Sequence, residues 1–244
     1  MKLLSIGNSF SQDSHKYLHD LAEYNNIDIK TVNLYIGGCN LQHHCECLKK
    51  GNPEYELEIN GGECTRKISL ADAVKSDTFD IITVQQASYD CGRPQTYFPY
   101  IETLVSYCRQ IQPQSKIFFH QTWAYEIDCK NDSFKTYGGN QDEMYRRLCD
   151  CTETVKKVIG IPVIPTGSVI QNVRENIPEF DYKNGGKSLC RDGFHLSFDY
   201  GRLIAAYVWL KSLTGKHINL NGFKVFDETL TTKIQEVTEK ILGF

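Results

Sequence analysis

Three features of this 244-residue chain predict an α/β fold with a parallel sheet covered by helices on both faces. Near-continuous apolar runs of strand length recur along it, amphipathic stretches alternate with them, and no repeat, low-complexity tract or linker divides it. The runs are KLLSIG (2–7), DIKTVNLYIG (28–37), FDIITVQQ (79–86), SKIFFHQT (115–122) and GIPVIPTG (160–167). They suffice for a five-stranded, flavodoxin-like sheet in a three-layer α/β/α sandwich, and residues 1–244 are read as one domain.

In chain order, the first run breaks at Gly7-Asn8-Ser9 and an amphipathic helix is expected from about Asp13 to residue 25. Two β-prone runs in YELEINGGECTRKISL flank Asn60-Gly61-Gly62 and predict a small hairpin inserted after the second strand. Ser69-Leu70-Ala71-Asp72 has the pattern of a capped start to a short helix. Further helices are expected over 97–112, 141–159, 199–213 and 228–242, with Ser197 as an N-cap and Gly215 as a stop.

Composition narrows the class of function. Hydrophobic residues make up 41% of the chain, and no apolar run approaches the roughly 18 residues of a membrane span. A net charge of −3 gives no general attraction to nucleic acid or an anionic membrane, so neither is expected as a partner. The first strand begins at Lys2, which leaves no room for a signal peptide, and the ten cysteines are read as mostly reduced thiols. A cytoplasmic location is expected on that basis, although a secreted chain trimmed of its leader reads the same.

Chemistry concentrates at the predicted strand ends. Ser9 stands on the corner after the first strand, at the carboxyl edge where open α/β sheets bind ligands and beside backbone N–H groups that favour developing negative charge. Gly-Asn-Ser is also ordinary turn chemistry. In LCRDGFHLSFDYGRL, Asp192 lies three residues before His195, close enough to hold Nδ1–H and leave Nε2 to take a proton from a hydroxyl. A capping Asp beside an exposed His fits the same D-x-x-H. Gly37-Gly38, after the second strand, can bring N–H groups to an oxyanion, and one of Gln85 and Gln86 can offer an amide. His120, Gln121, Trp123 and Tyr125, at the end of the fourth run, are read as a substrate-binding wall, and His120 as a rival base. Cys45/Cys47 with His43/His44, and Cys149/Cys151, form C-x-C pairs whose one-residue gap is poor zinc geometry, so neither a metal nor any other cofactor is expected.

The order GNSFS, YIGG, VQQAS, DGFHLS resembles the four sequence blocks of the SGNH (GDSL-like) hydrolase superfamily. IGNSFSQD, NLYIGGCNLQHH, QQASYD, PYIETLVSY and HQTWAY resemble, more narrowly, a largely uncharacterised bacterial branch common in Bacteroidetes. The resemblance runs from residue 2 to about 215. It implies the SGNH hydrolase fold, Ser9 as nucleophile, Asp192 as acid and His195 as base, with the N–H groups of Ser9 and Gly38 in the oxyanion hole. The chain departs from the superfamily at the block III asparagine. One alignment puts Tyr89 there, while esterases with a Q-G-E-S-D pattern align Gln86, which is favoured over Gln85. The expected activity is metal-independent hydrolysis of short acyl esters, O-acetyl groups on a small molecule or carbohydrate above all. Lysophospholipase or thioesterase activity, a carbohydrate-binding module without turnover, and a metal-dependent hydrolase are the alternatives.

Overall fold

The computed structural model describes residues 1–224 and 226–243. One seven-stranded sheet runs through it in the order β4-β3-β2-β1-β5-β6-β7. Five strands are parallel: β1 (Lys2–Gly7), β2 (Lys30–Tyr35), β5 (Ile81–Gln85), β6 (Lys116–His120) and β7 (Val163–Ile164). The expected hairpin, β3 (Tyr55–Ile59) and β4 (Cys64–Ile68), adds antiparallel to β2 and extends the sheet at that edge. Its turn fits the sequence: Asn60 and Gly61 both have positive φ, and a Cβ at Gly61 would meet the His15 carbonyl oxygen at 2.8 Å.

Strand alternation sends Leu3, Ile81 and Phe118 to one face and Leu4, Ile82, Ile117 and Phe119 to the other, giving a separate core on each side. The first is covered by α1 (Ser9–His15), α2 (Leu18–Tyr24), α7 (Thr166–Asn176), α8 (Tyr200–Thr214) and α9 (Glu228–Leu242). Over the second lie α3 (Leu41–Lys50), α4 (Leu70–Lys75) and α5 (Tyr100–Ile111), and α6 (Gln141–Ile159) feeds side chains into both. The result is the expected α/β/α sandwich. No helix among the described residues is long and apolar enough to cross a membrane.

Several local expectations need correction. The first helix begins at Ser9 rather than Asp13, capped by Asn8, and the stretch to residue 25 divides at Lys16-Tyr17 into α1 and α2. GIPVIPTG contributes only Val163–Ile164 to the sheet, because Pro162 and Pro165 cannot donate to a ladder. Ser197 does not cap α8, whose N-cap position is Asp199; its Oγ accepts from Gly201 N at 3.0 Å and donates to Asp199 at 2.6 Å. Helices α3 and α7 were not expected, since polar residues dilute their apolar faces. Ser69 caps α4 as expected, and Gly215 ends α8 in the left-handed conformation.

Candidate active site

The corner after β1 is built to hold one hydroxyl in a fixed place. Asn8 Oδ1 accepts from Phe10 N at 3.0 Å, which starts α1, while Asn8 Nδ2 donates to the Cys39 carbonyl at 2.9 Å. Ser9 is therefore the first residue of a capped helix, and its N–H has no intrahelical acceptor. Asn8 thus ties the Ser9 corner to the loop after β2, which contains Gly37 and Gly38.

The loop before α8 brings its imidazole to that hydroxyl. His195 Nε2 lies 2.9 Å from Ser9 Oγ, and His195 Nδ1 lies 2.6 Å from Asp192 Oδ2. The second oxygen of Asp192 accepts from the backbone N–H groups of His195 at 2.8 Å and Phe194 at 3.2 Å. Burial alone would raise the Asp192 carboxyl, but the bonds from the His195 ring and from these two N–H groups outweigh it and hold it below its ordinary value. Asp192 is therefore an anion that accepts from Nδ1–H, and Nε2 presents its lone pair to Ser9.

A second carboxylate sets the distance between the two elements. Asp13, wholly buried on α1, receives Arg191 Nη1 at 2.9 and 3.0 Å, Arg202 Nη2 at 2.7 Å and the Leu196 N–H at 2.9 Å. Arg191 and Leu196 flank the short antiparallel turn whose tip carries Asp192 and His195, closed by Arg191 N to the His195 carbonyl at 2.9 Å. Behind the turn, Trp123 Nε1 donates to the Phe194 carbonyl at 2.7 Å and its ring stacks on Phe10 at 4.1 Å.

These groups open onto a cleft of about 250 Å³ lined by Asn8, Ser9, Phe10, Tyr35, Gly37, Gly38, Ala87, Ser88, Tyr89, Tyr125, Asn131, Phe194 and His195. Gly38 is exposed with φ +64°, a conformation that favours glycine, and a Cβ there would meet nothing within 4 Å. The Tyr89 hydroxyl donates to the Gly38 carbonyl at 2.9 Å, so its single proton is spent steadying that loop.

The structure brings Ser9, Asp192, His195 and Gly38 together and leaves five other expected residues out. Gln86 is buried away from the cleft: its Oε1 accepts from Leu41 N and Ala87 N, and its Nε2 donates to Thr96 O and Oγ1 at 3.0 Å. Gln85 is buried too, bridging His120 Nδ1 and Asn8 Oδ1. His120, Gln121 and Trp123 form no wall. Burial first, then the facing His15, pushes the His120 imidazole down to about 3, and Gln85 rather than Ser9 is its partner. Gln121 Oε1 accepts from Ser168 N and Oγ, both at 2.9 Å, while Trp123 lies under the Phe194 carbonyl. Their strand end is polar because it is stitched to α7 and the His195 turn, not because it faces solvent. Of that stretch only Tyr125 lines the cleft.

Sequence reasoning missed Asp13, Arg191 and Arg202. Spacing offered one signal: Asp13 stands four residues after Ser9, on the same face of α1. Among the described residues all ten cysteines are unpaired.

Comparison with known proteins follows the same lines. The family described as "Domain of unknown function (DUF4886)" matches residues 2–241. A DUF4886 family protein from Bacteroides uniformis is 32% identical, with a TM-score of 0.90 over 100% of this chain and 95% of that one. An acetylxylan esterase from Geobacillus stearothermophilus superposes with a TM-score of 0.59 at 13% identity, covering 90% of this chain and 97% of that one. A putative GDSL-like lipase from Parabacteroides merdae gives 0.57 at 13% identity, covering 88% and 96%. At such identities the last two speak for the fold, which is that of the SGNH hydrolases. No curated protein sequence matches the chain.

Proposed function

Taking as premise that the chain belongs to the DUF4886 family and has the SGNH hydrolase fold, we propose that it is a metal-independent serine esterase acting on short acyl esters. The observation that carries this reading is the continuous hydrogen-bonded line from Ser9 Oγ through His195 to Asp192, 2.9 and 2.6 Å long, at the edge of an open cleft. Ser9 Oγ attacks the ester carbonyl carbon and passes its proton to His195 Nε2, while Asp192 holds the ring and balances the charge it acquires. The oxyanion is met by the N–H groups of Ser9 and Gly38. The alcohol leaves with the proton from His195. Water then attacks the acyl-enzyme through the same groups, releasing the acid and restoring Ser9.

An O-acetyl group on a carbohydrate is the proposed substrate class. The small cleft volume and the aromatic, hydroxyl-bearing side chains of Tyr35, Tyr89 and Tyr125 around it support a short acyl group on a polar alcohol. The acetylxylan esterase among the structural neighbours points the same way. Hydrolysis of p-nitrophenyl acetate, its longer homologues and acetylated xylo-oligosaccharides tests this, using wild type, Ser9→Ala and His195→Ala with and without EDTA. Wild-type turnover of the short esters should survive EDTA, and both variants should lose on the order of 10⁴-fold or more in kcat. A fully active Ser9→Ala overturns the mechanism, and preference for long chains overturns the substrate class.

A further inference from the structure

Outside the Ser9 cleft, His43 and Cys47 are four residues apart on α3 and share one face of that helix. Glu54 approaches the same face from the segment beyond Gly51, the left-handed residue that ends the helix. The three ligand-type atoms lie within 4.8 Å of one another. Two of the approaches converge on a single oxygen: Glu54 Oε2 is 3.7 Å from Cys47 Sγ and 4.0 Å from His43 Nε2. In a tetrahedral zinc site, with bonds of about 2.0–2.3 Å, neighbouring ligand atoms stand roughly 3.3–3.8 Å apart. Small rotations of His43 and Glu54, whose side chains are 41% and 36% exposed, are enough to reach that spacing.

The surroundings suit a ligating histidine. Glu46 Oε2 lies 3.7 Å from His43 Nδ1, the ring nitrogen not facing Glu54, and Gln42 Nε2 holds the other Glu46 oxygen at 3.0 Å. A carboxylate on the second nitrogen is the usual means of fixing the orientation of a metal-bound imidazole.

We propose that His43, Cys47 and Glu54 form a binding site for a thiophilic divalent cation of the zinc class, with three protein ligands and a fourth position open to solvent. One thiolate, one imidazole and one carboxylate select zinc over magnesium or calcium, which take oxygen ligands. Binding links α3 to the segment that enters β3 and releases the Cys47 thiol proton to solvent. The sequence hides this site because Cys45 and Cys47 draw attention to each other. In the fold Cys45 faces the Tyr100 carbonyl at 3.2 Å, and the pair that matters is His43 with Cys47. None of the three ligands lines the Ser9 cleft, so the site stands or falls independently of ester hydrolysis.

Cobalt(II) titration of the metal-free, fully reduced protein is the test. A sulfur-to-cobalt charge-transfer band should saturate at one equivalent and vanish on adding zinc. C47S should abolish the band, and His43→Ala and Glu54→Gln should each weaken cobalt binding by at least about ten-fold. C45S and C64S, the latter at the exposed thiol, should change neither. Thermal melting in chelator separates a lost ligand from a lost fold, and zinc should raise the melting temperature of wild type but not of C47S. A band that persists in C47S, or wild type that shows none with cobalt in excess, overturns the proposal.

Discussion

Two serine–histidine pairs draw their serines from one strand–helix unit, β1 and α1, and the shorter is the one placed where no ester can reach it. Ser5 Oγ lies 2.7 Å from His15 Nε2, closer than the 2.9 Å between Ser9 Oγ and His195 Nε2. Thr83 Oγ1 donates to Ser5 at 2.7 Å, and His15 Nδ1 is a buried atom with no hydrogen-bond partner among the described residues. Among the described residues no carboxylate bonds that ring, and burial pushes its imidazole down to about 3. The His195 ring has a protein partner on each nitrogen, an anionic one on Nδ1, and lines an open cleft. A short hydroxyl–imidazole bond is therefore a packing solution in one place and a candidate catalytic device in the other. The carboxylate, the access and the neighbouring N–H donors make the difference.

Breaking each pair in turn should separate the two roles most widely. Asp192→Asn is expected to lower kcat by roughly 10²–10⁴-fold with little change in melting, because it leaves the geometry but disfavours the Nδ1–H tautomer. Ser5→Ala should keep ester turnover within a few-fold of wild type. It should cost about 1–3 kcal/mol in urea unfolding, since buried Thr83 and His15 lose a shared partner. The comparison fails if Ser5→Ala removes activity while leaving stability intact.

Asp13 sharpens the contrast between a carboxylate that orients a base and one that holds elements together. Asp13→Asn leaves two guanidinium groups without their counter-charge and is expected to destabilise by about 3 kcal/mol, measured by urea unfolding. Because Arg191 and Leu196 then no longer pin the His195 turn to α1, kcat should fall as well. Loss of stability alone would separate the clamp from the chemistry.

Acid should act on the buried pair before it acts on the exposed carboxylate. Burial pushes His15 and His44 from an ordinary 6.5 down to about 3, and burial with the facing His15 does the same to His120. These rings stay neutral in the folded chain and gain protons on unfolding. The unfolded state therefore binds more protons, and stability falls as pH drops from about 6.5 towards 3. Asp192 is shifted in the same direction but from a lower starting point: its stabilisation is present above its ordinary value of 3.8 and is lost only as pH falls through its lower folded value. Urea midpoints from pH 7 to 4 should decline, and His120→Gln should reduce the slope by about one proton. An unchanged slope would mean His120 is protonated in the fold.

The smallest expected effect concerns Gln86. Gln86→Leu should cost stability while kcat stays within about ten-fold of wild type, whereas removing an oxyanion donor would cost about 10²–10³-fold.

Much of this was legible in the sequence for physical reasons. Parallel strands buried on both faces read as apolar runs, and Asn60-Gly61 announces a turn that needs positive φ. Ser9 and D-x-x-H were visible because each is local, and a parallel sheet brings both to one edge. What was hidden depends on long-range partners. Gln86 and Gln121 are polar at strand ends, as binding residues are, yet their amides satisfy backbone and hydroxyl groups of Leu41, Thr96 and Ser168. Trp123 reads as part of a substrate-binding wall, and its ring instead fills the space between Phe10 and the His195 turn. The Asp13 clamp joins residues 178 and 189 positions apart, which no local pattern reveals.

The central claim is that Ser9 alone is an activated nucleophile. Treating the protein with a fluorophosphonate and locating the adduct by peptide mass spectrometry tests this directly. A single adduct on Ser9, lost in His195→Ala and never found on Ser5, is the expected result. An adduct on another serine with Ser9 untouched, accompanied by loss of ester hydrolysis, would contradict it.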